Sequence, residues 1–371
     1  MDLRAYTMIA ALLGIWVLFS LSNEYFLSPR NLSNLFLQMS VTSILAIGVL
    51  LVIVAGHIDL SVGSVVGLTG GVAAILQVWY DWDTVPAVLV TMLVGVLIGL
   101  FQGWWVAYQA VPAFIVTLGG MMAFRGLLMG ITEGSTIAPL SDSFKSIGSS
   151  YLPMEIGWGL AALVTVVAAF STWNRRRSRK GYGLALDPLA LDVGKVLLTV
   201  ALVGTFVGVM NSYKGIPFPI VLVLMLAVLF TFIAKKTRFG RHVYAIGGNQ
   251  DAARLSGIHV RKRIMWVFVL SGLLASITGI VLTSRVNAAT IGAGTMYELD
   301  AIAACVIGGT SLMGGAGTIF GAVIGALVMA SLDNGMSIMN MESFWQYIVK
   351  GSVLIFAVWL DMYSRRRKQS S

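Results

Sequence analysis

The chain has 371 residues, of which 57% are hydrophobic and only 11% are charged. A soluble domain carries roughly 25% charged residues, so this composition excludes an ordinary soluble protein and predicts an all-α polytopic membrane protein. A net charge of +9 would suggest nucleic-acid binding in a soluble chain, but here the basic residues cluster between apolar runs, and we expect no nucleic acid. One cysteine and three scattered histidines provide neither an internal disulfide nor a cysteine-based metal site.

Ten apolar runs have about the 20-residue length that a membrane-spanning helix needs, or come close to it. The predicted helices are 6–22, 36–55, 61–80, 86–107, 112–131, 156–173, 190–210, 217–234, 264–284 and 345–361. Between the last two lies the glycine-rich region 297–335, which is either a re-entrant element or a two-helix hairpin. The chain therefore has ten or twelve crossings.

Three basic clusters orient these helices in the membrane. Residues 175–180, 235–263 and 365–368 hold most of the Lys and Arg, which favours the cytoplasmic side. All three clusters fall on one side only if both termini are cytoplasmic. The polar loop 132–153 then lies outside, and residues 1–371 form a single transmembrane domain.

Glycines recur at every fourth position in three places, which brings them onto one helix face where another backbone can approach closely. These stripes are Gly63-Gly67-Gly71, Gly95-Gly99-Gly103 and Gly317-Gly321-Gly325. The first and third follow glycine-rich stretches, 56–63 and 308–317, which suggests interrupted elements at corresponding places in two halves. Transporters place such breaks along their pathway; tight packing without a pathway role is the alternative.

Four polar residues are candidates for the pathway or for the helix breaks. Asp59 lies at membrane depth, where a charge is costly and usually functional, and it also suits capping of a helix that begins at Ser61. Asp300 and Asp333 lie in the glycine-rich region. They face either a water-filled path or the outer surface.

Signals of catalysis are weak. The phosphate-binding motif G-x-x-x-x-G-K-[ST] is missing, so the chain should not hydrolyse ATP itself. No catalytic triad, carboxylate pair, cofactor loop or metal-ligand set can be argued, and we predict that the chain is not an enzyme. Arg125 and Arg285 lie near outer helix ends, where we expect their long side chains to extend to the membrane interface.

The segment 235–263 carries eight Lys or Arg and one acid. Within it, Asn249 is a suitable N-cap, Asp251 complements the dipole of the first turn, and Gly257 ends a short helix. About two turns of helix are not stable alone in water. This helix therefore packs on its own protein or docks into a partner.

The residues 251–257 have the form acid-Ala-Ala-x-x-x-Gly, which resembles the cytoplasmic motif of permease subunits in bacterial ATP-binding cassette importers. Three further blocks, 56–64, 111–126 and 298–318, are similar to the monosaccharide branch of that family. The resemblance covers nearly the whole chain. One departure is Asp251 where the family motif usually has Glu, which preserves the charge.

Two sets of blocks bear on the sugar. Residues 331–339 and 344–351 look most like xylose permeases. Residues 285–290 and 135–139 look closer to permeases for several monosaccharides, among them ribose, arabinose and galactose. D-xylose is the favoured substrate, and a multi-sugar permease is the alternative.

The resemblance implies a multi-pass protein of the cytoplasmic (inner) membrane, in contact with lipid. Its implied partners are a second copy of itself, a pair of ATP-hydrolysing subunits and an extracytoplasmic sugar-binding protein. The residues implied in coupling to the ATPase are Asn249, Asp251, Ala252, Ala253, Arg254 and Gly257, with the Ala252–Ala253 pair as the contact face. The competing hypothesis is an ion-coupled secondary transporter that would use Asp59, Asp300 or Asp333.

Overall fold

The computed structural model describes residues 3–185 and 188–369, and over these ranges the chain is built from α-helices without a named strand. The helices are α1 (Leu3–Ser22), α2 (Pro29–Val54), α3 (Val62–Val78), α4 (Thr84–Ala107), α5 (Ala113–Thr132), α6 (Asp142–Ser149), α7 (Met154–Gly181), α8 (Leu189–Asn211), α9 (Phe218–Lys236), α10 (Arg238–Gly248), α11 (Gln250–Leu255), α12 (Val260–Val286), α13 (Tyr297–Ile307), α14 (Ile319–Ile338) and α15 (Ser343–Gln369). Nine of those described are long and apolar enough to cross a membrane. This confirms the all-α polytopic fold class.

The glycine-rich region 297–335 is a short helix, a break and a long helix. α13 has 11 residues and spans about 16 Å, roughly half of the ~30 Å apolar core. The break that follows contacts α10, which lies within the basic segment 235–263, and α14 then runs back across. The described chain therefore has nine helices long enough to cross, two shorter apolar helices, α1 and α3, and the half-length α13. The region is thus a helical hairpin whose first helix, α13, is too short to cross the apolar core.

The core is centred on α2 and α12. α2 begins earlier than predicted because Ser28 accepts a hydrogen bond from the Asn31 N–H and a proline follows at the first helical position. It is buried without interruption from Ser43 to its end. α12 packs between α2, α3 and α4.

All three glycine stripes are packing faces. A Cβ on Gly99 would overlap the Phe268 carbonyl of α12, and one on Gly325 would overlap the Ala304 carbonyl of α13. A Cβ on Gly67 would lie only 2.6 Å from the carbonyl oxygen of Ala293, in the segment that precedes α13. The missing side chains let these backbones approach closely.

Candidate functional site

The two interrupted elements meet on the side of the molecule that carries the basic segment 235–263. The first break (residues 55–61) separates α2 from α3, and the second break (residues 308–318) separates α13 from α14. The Gly315 N–H donates to the Val54 carbonyl oxygen at 2.9 Å. Gly314 faces Gly56 so closely that a Cβ on Gly314 would lie 3.1 Å from the Gly56 Cα. The breaks are therefore in direct backbone contact.

α10 packs against both breaks. The Tyr244 hydroxyl donates to the Gly317 carbonyl oxygen at 2.8 Å, and burial raises the pKa of this hydroxyl, so it remains a donor at neutral pH. Gly247 meets the Val54 carbonyl oxygen, and a Cβ there would lie 2.6 Å from the Gly315 nitrogen. α10 thus contacts both breaks, through the Tyr244 hydroxyl and through the backbone of Gly247.

α11 follows α10 after one residue and has the ends that the sequence predicts. The Asn249 side-chain oxygen accepts from the Ala252 N–H at 2.9 Å, which caps the helix. Gly257 lies just beyond the end with φ +81°, a value that favours glycine. Asp251 is exposed in the first turn, and its carboxylate lies 3.9 Å from the Arg254 guanidinium.

The exposed face of α11 differs from the face expected. Ala253 is only 4% exposed and belongs to the protein's own core, because it turns inward as its neighbour Ala252 turns outward. The structure instead exposes 85% of Leu255, the last residue of α11. The sequence signal for this exposed residue is a single leucine at the end of a short helix with no other large apolar side chain.

The first break is held by a buried carboxylate. Asp59 is 2% exposed, and its Oδ1 accepts from the Ser61 N–H at 2.9 Å and from the Ser61 hydroxyl at 2.6 Å. Its Oδ2 accepts from the Ser271 hydroxyl of α12 at 3.4 Å. The Gln102 amide of α4 donates to the Ser61 oxygen at 2.6 Å. Asp59 therefore closes a local turn and ties it to two neighbouring helices.

Asp300 and Asp333 share one cation. Lys350 of α15 places its Nζ 2.8 Å from Asp300 Oδ2 and 3.0 Å from Asp333 Oδ1. Asp300 lies in the first turn of α13 and is buried, so it does not lie at the outer surface. We call Asp300, Asp333 and Lys350 the ion triad. It joins the half-length helix α13 to α14 and α15.

The segment between α12 and α13 is held from the side by Arg125. This side chain donates to the carbonyl oxygens of Ile291 and Ala293, both at 2.8 Å. The expected extension to the interface is therefore wrong for Arg125, because irregular backbone inside a membrane needs donors for its carbonyls. Arg285 donates to the Asn34 side-chain oxygen at 3.4 Å.

A family model and several known permeases match this chain over most or nearly all of its length. A family model described as branched-chain amino acid transport system / permease component matches residues 31–358. A xylose transport system permease protein of Escherichia coli (strain K12) is 48% identical over 368 residues, covering 99% of this chain and 94% of that protein. The corresponding protein of Haemophilus influenzae is 47% identical over 369 residues, covering 99% and 98%.

A more distant relative is a ribose import permease protein of Escherichia coli (strain K12). It is 36% identical over 355 residues, covering 96% of this chain and 92% of that protein. No solved structure matches the chain.

Proposed function

We propose, on the basis that this chain belongs to the permease-component family of bacterial transport systems, that it is the membrane-spanning subunit of an ATP-binding cassette importer for a monosaccharide. The multi-pass inner-membrane location follows from the same membership and from the nine long apolar helices among the described residues. The alternative of an integral-membrane enzyme has no catalytic set to support it.

D-xylose is the substrate that we assign. The family description names branched-chain amino acids, but the relatives that are 47–48% identical over 99% of the chain are named as xylose permeases. The ribose relative shares 36% of its aligned residues with this chain. A permease accepting several monosaccharides is the runner-up.

Energy for transport comes from a separate subunit in this proposal. The chain lacks a phosphate-binding loop, so two ATP-hydrolysing subunits would bind its cytoplasmic face. An extracytoplasmic sugar-binding protein would deliver the sugar, and a second copy of the chain would complete the membrane part. The apolar window of α15 contains no fully buried residue, which leaves surface for lipid or for that second copy.

The single observation that carries the coupling proposal is the position of α11. It exposes Leu255 at the surface of the basic segment, while Ala253 anchors it and α10 continues it to both breaks. A partner that binds Leu255 and moves α11 would therefore move α10 and change the contact between the breaks. In this proposal Asn249 and Gly257 set the ends of the docking helix, and Asp251, Ala252 and Arg254 surround the leucine.

The test is replacement of Leu255 by serine. Truncating an anchoring apolar side chain at an interface costs about 1–2 kcal/mol or more, so we expect about tenfold weaker association of the ATPase subunit and a matching loss of ATP-driven xylose uptake. Association is measured by titration of the purified ATPase, and uptake in proteoliposomes with the binding protein.

Leu184→Ser is the matched control. Leu184 is 57% exposed beyond the basic end of α7, yet it lies outside α11, so its loss should leave association unchanged. Equal effects of the two substitutions would contradict the docking role of α11. Uptake that continues without ATP, driven by an ion gradient, would contradict the whole proposal and favour a secondary transporter.

A further inference from the structure

A cavity of about 610 Å³ opens beside the first break, next to the basic segment 235–263. Its walls come from the turn between α4 and α5, from the first break, and from α11 and the start of α12. Most of the lining is apolar, contributed by residues such as Val106, Val111, Pro112, Phe114 and Ile264. The volume is in the range of small-molecule sites, about 300–1,000 Å³.

Cationic and neutral donors line this apolar space. Arg254 and Arg261 both line the cavity. Within the described residues, Arg261 has no ion pair. The ion pair of Arg254 is a 3.9 Å contact with Asp251. The floor includes His57, whose Nε2 is buried and without a hydrogen-bond partner in the described part of the chain. No carboxylate lines the cavity. The charge balance therefore favours an anion.

Backbone donors point to the same ligand class. α5 and α12 both begin at the cavity, and neither has a side chain that caps its first turn. Among the described residues, the N–H groups of Ala113, Phe114 and Arg261 have no carbonyl partner. Free N–H groups at helix starts are donors for phosphate and other anions. Two helix starts and two arginines thus converge on one cavity.

The cavity lies at the level of the membrane interface. Trp104, Trp105 and Tyr108 are exposed at the end of α4, beside the residues that line the cavity. Exposed tryptophan and tyrosine mark the headgroup level of a bilayer. Phe114 lines the cavity and is half exposed. A ligand entering here would have an anionic head and an apolar body.

We propose that this cavity binds the headgroup of an anionic phospholipid from the cytoplasmic leaflet. The phosphate lies between Arg254, Arg261 and the free N–H groups of α5 and α12, and the apolar part of the lipid contacts Val111 and Phe114. Basic pockets between helices on the cytoplasmic side are suited to such headgroups. Because α11 and the first break both line the cavity, a bound lipid would contact two of the elements used in the proposed coupling.

Binding is tested on the purified permease alone, by native mass spectrometry with titrated short-chain phosphatidylglycerol. Replacing Arg261 by glutamine removes one cation near the membrane surface, so we expect about fivefold weaker binding. Lys262→Gln is the matched control, because Lys262 is adjacent and exposed but does not line the cavity. Val111→Trp, which occupies part of the cavity without changing charge, should weaken binding as well.

Three outcomes would overturn the proposal. Equal losses in Arg261→Gln and Lys262→Gln would indicate a general attraction of the basic surface. Binding of inorganic phosphate or of phosphatidylcholine as tightly as phosphatidylglycerol would rule out an anionic lipid site. Displacement of the lipid when the ATPase subunit assembles would assign the cavity to an acidic group of that partner.

The effect on transport rests on the proposed function, but the binding does not. Lipid binding measured on the isolated permease would stand even if association with an ATPase failed. Conversely, normal coupling with no selective lipid binding would leave the proposed function intact and refute only the lipid site.

Discussion

The two breaks lie against each other, but the chain fixes them by different means. The first break contains a buried carboxylate, Asp59, whose hydrogen bonds involve Ser61 and reach Ser271 of α12. The second break contains no charged residue and turns through glycines with positive φ, among them Gly314 and Gly315. It is held by backbone hydrogen bonds and by Tyr244.

This difference indicates a division of roles. Side chains of α4 and α12 hold the first break within the core, so its position is restrained from two neighbouring helices. The second break is joined to α10 and to the end of α2, and its glycines allow backbone rotation at little steric cost. Because α10 contacts both breaks, we infer that its movement displaces the second break more than the first.

The largest effect is expected for Asp59→Ala, which removes the side chain that holds the first break. It removes the acceptor for two hydroxyls and one backbone N–H that remain buried, and each buried donor left without a partner costs about 1–3 kcal/mol. We expect loss of the folded permease, read as a lost monodisperse peak in size-exclusion chromatography of the detergent-solubilised protein.

Asp59→Asn tests whether geometry or charge holds the break. The amide oxygen keeps one acceptor in place, so this variant should fold, with a lower melting temperature than the parent. Normal expression and uptake in Asp59→Ala would show that the first break does not depend on its carboxylate.

A second large effect is expected at the contact between α10 and both breaks. Gly247→Ala adds a Cβ that overlaps the Val54 carbonyl oxygen and lies 2.6 Å from the Gly315 nitrogen, so α10 must shift. We expect the permease to fold and to bind the ATPase, while sugar uptake per ATP hydrolysed falls several-fold.

Gly248→Ala is the control for this substitution. Gly248 is the neighbouring residue at the end of α10, and a Cβ there would meet nothing within 4 Å. Its uptake should match the parent protein. If both alanine variants transport normally, α10 does not control the breaks.

The smallest effect is predicted for Tyr244→Phe, which removes one hydrogen bond to the second break. Such a bond contributes about 0.5–1.5 kcal/mol, so thermal melting should show a modest loss of stability. An unchanged melting temperature at neutral pH would contradict a structural role for the hydroxyl.

The pH dependence of the same residue sharpens this prediction. Burial raises the pKa of Tyr244 above its ordinary value of 10.0, so its stabilising contribution is present below pH 10 and declines as the pH rises further. The alkaline loss of stability should therefore be smaller in Tyr244→Phe than in the parent, measured by melting curves between neutral and alkaline pH.

Local signals in the sequence were sufficient for parts of the site. Asn249 and Gly257 were predicted because capping and positive φ depend on single residue types. The glycine stripes were predicted as close-packing faces because their spacing alone places them on one side of a helix. Such features require no knowledge of a distant partner.

Features that depend on distant partners were missed. Lys350 lies 50 residues from Asp300 and 17 from Asp333 along the chain, so no local pattern linked them. The hydrogen bonds of Arg125 were not predictable either, because the first carbonyl that it binds lies in an irregular segment 166 residues further along the chain. The inward side of Ala253 follows from how α11 packs, which its six residues do not reveal.

The ion triad also bears on the order in which the helices assemble during synthesis. Lys350 belongs to the last helix, so during synthesis Asp300 and Asp333 reach the membrane before the only cation that pairs with them among the described residues. The ion triad can therefore form only after α15 has been inserted. A ribosome product that stops short of α15 would leave two unpaired carboxylates near the membrane interior, a feature that membrane quality-control proteases could recognise.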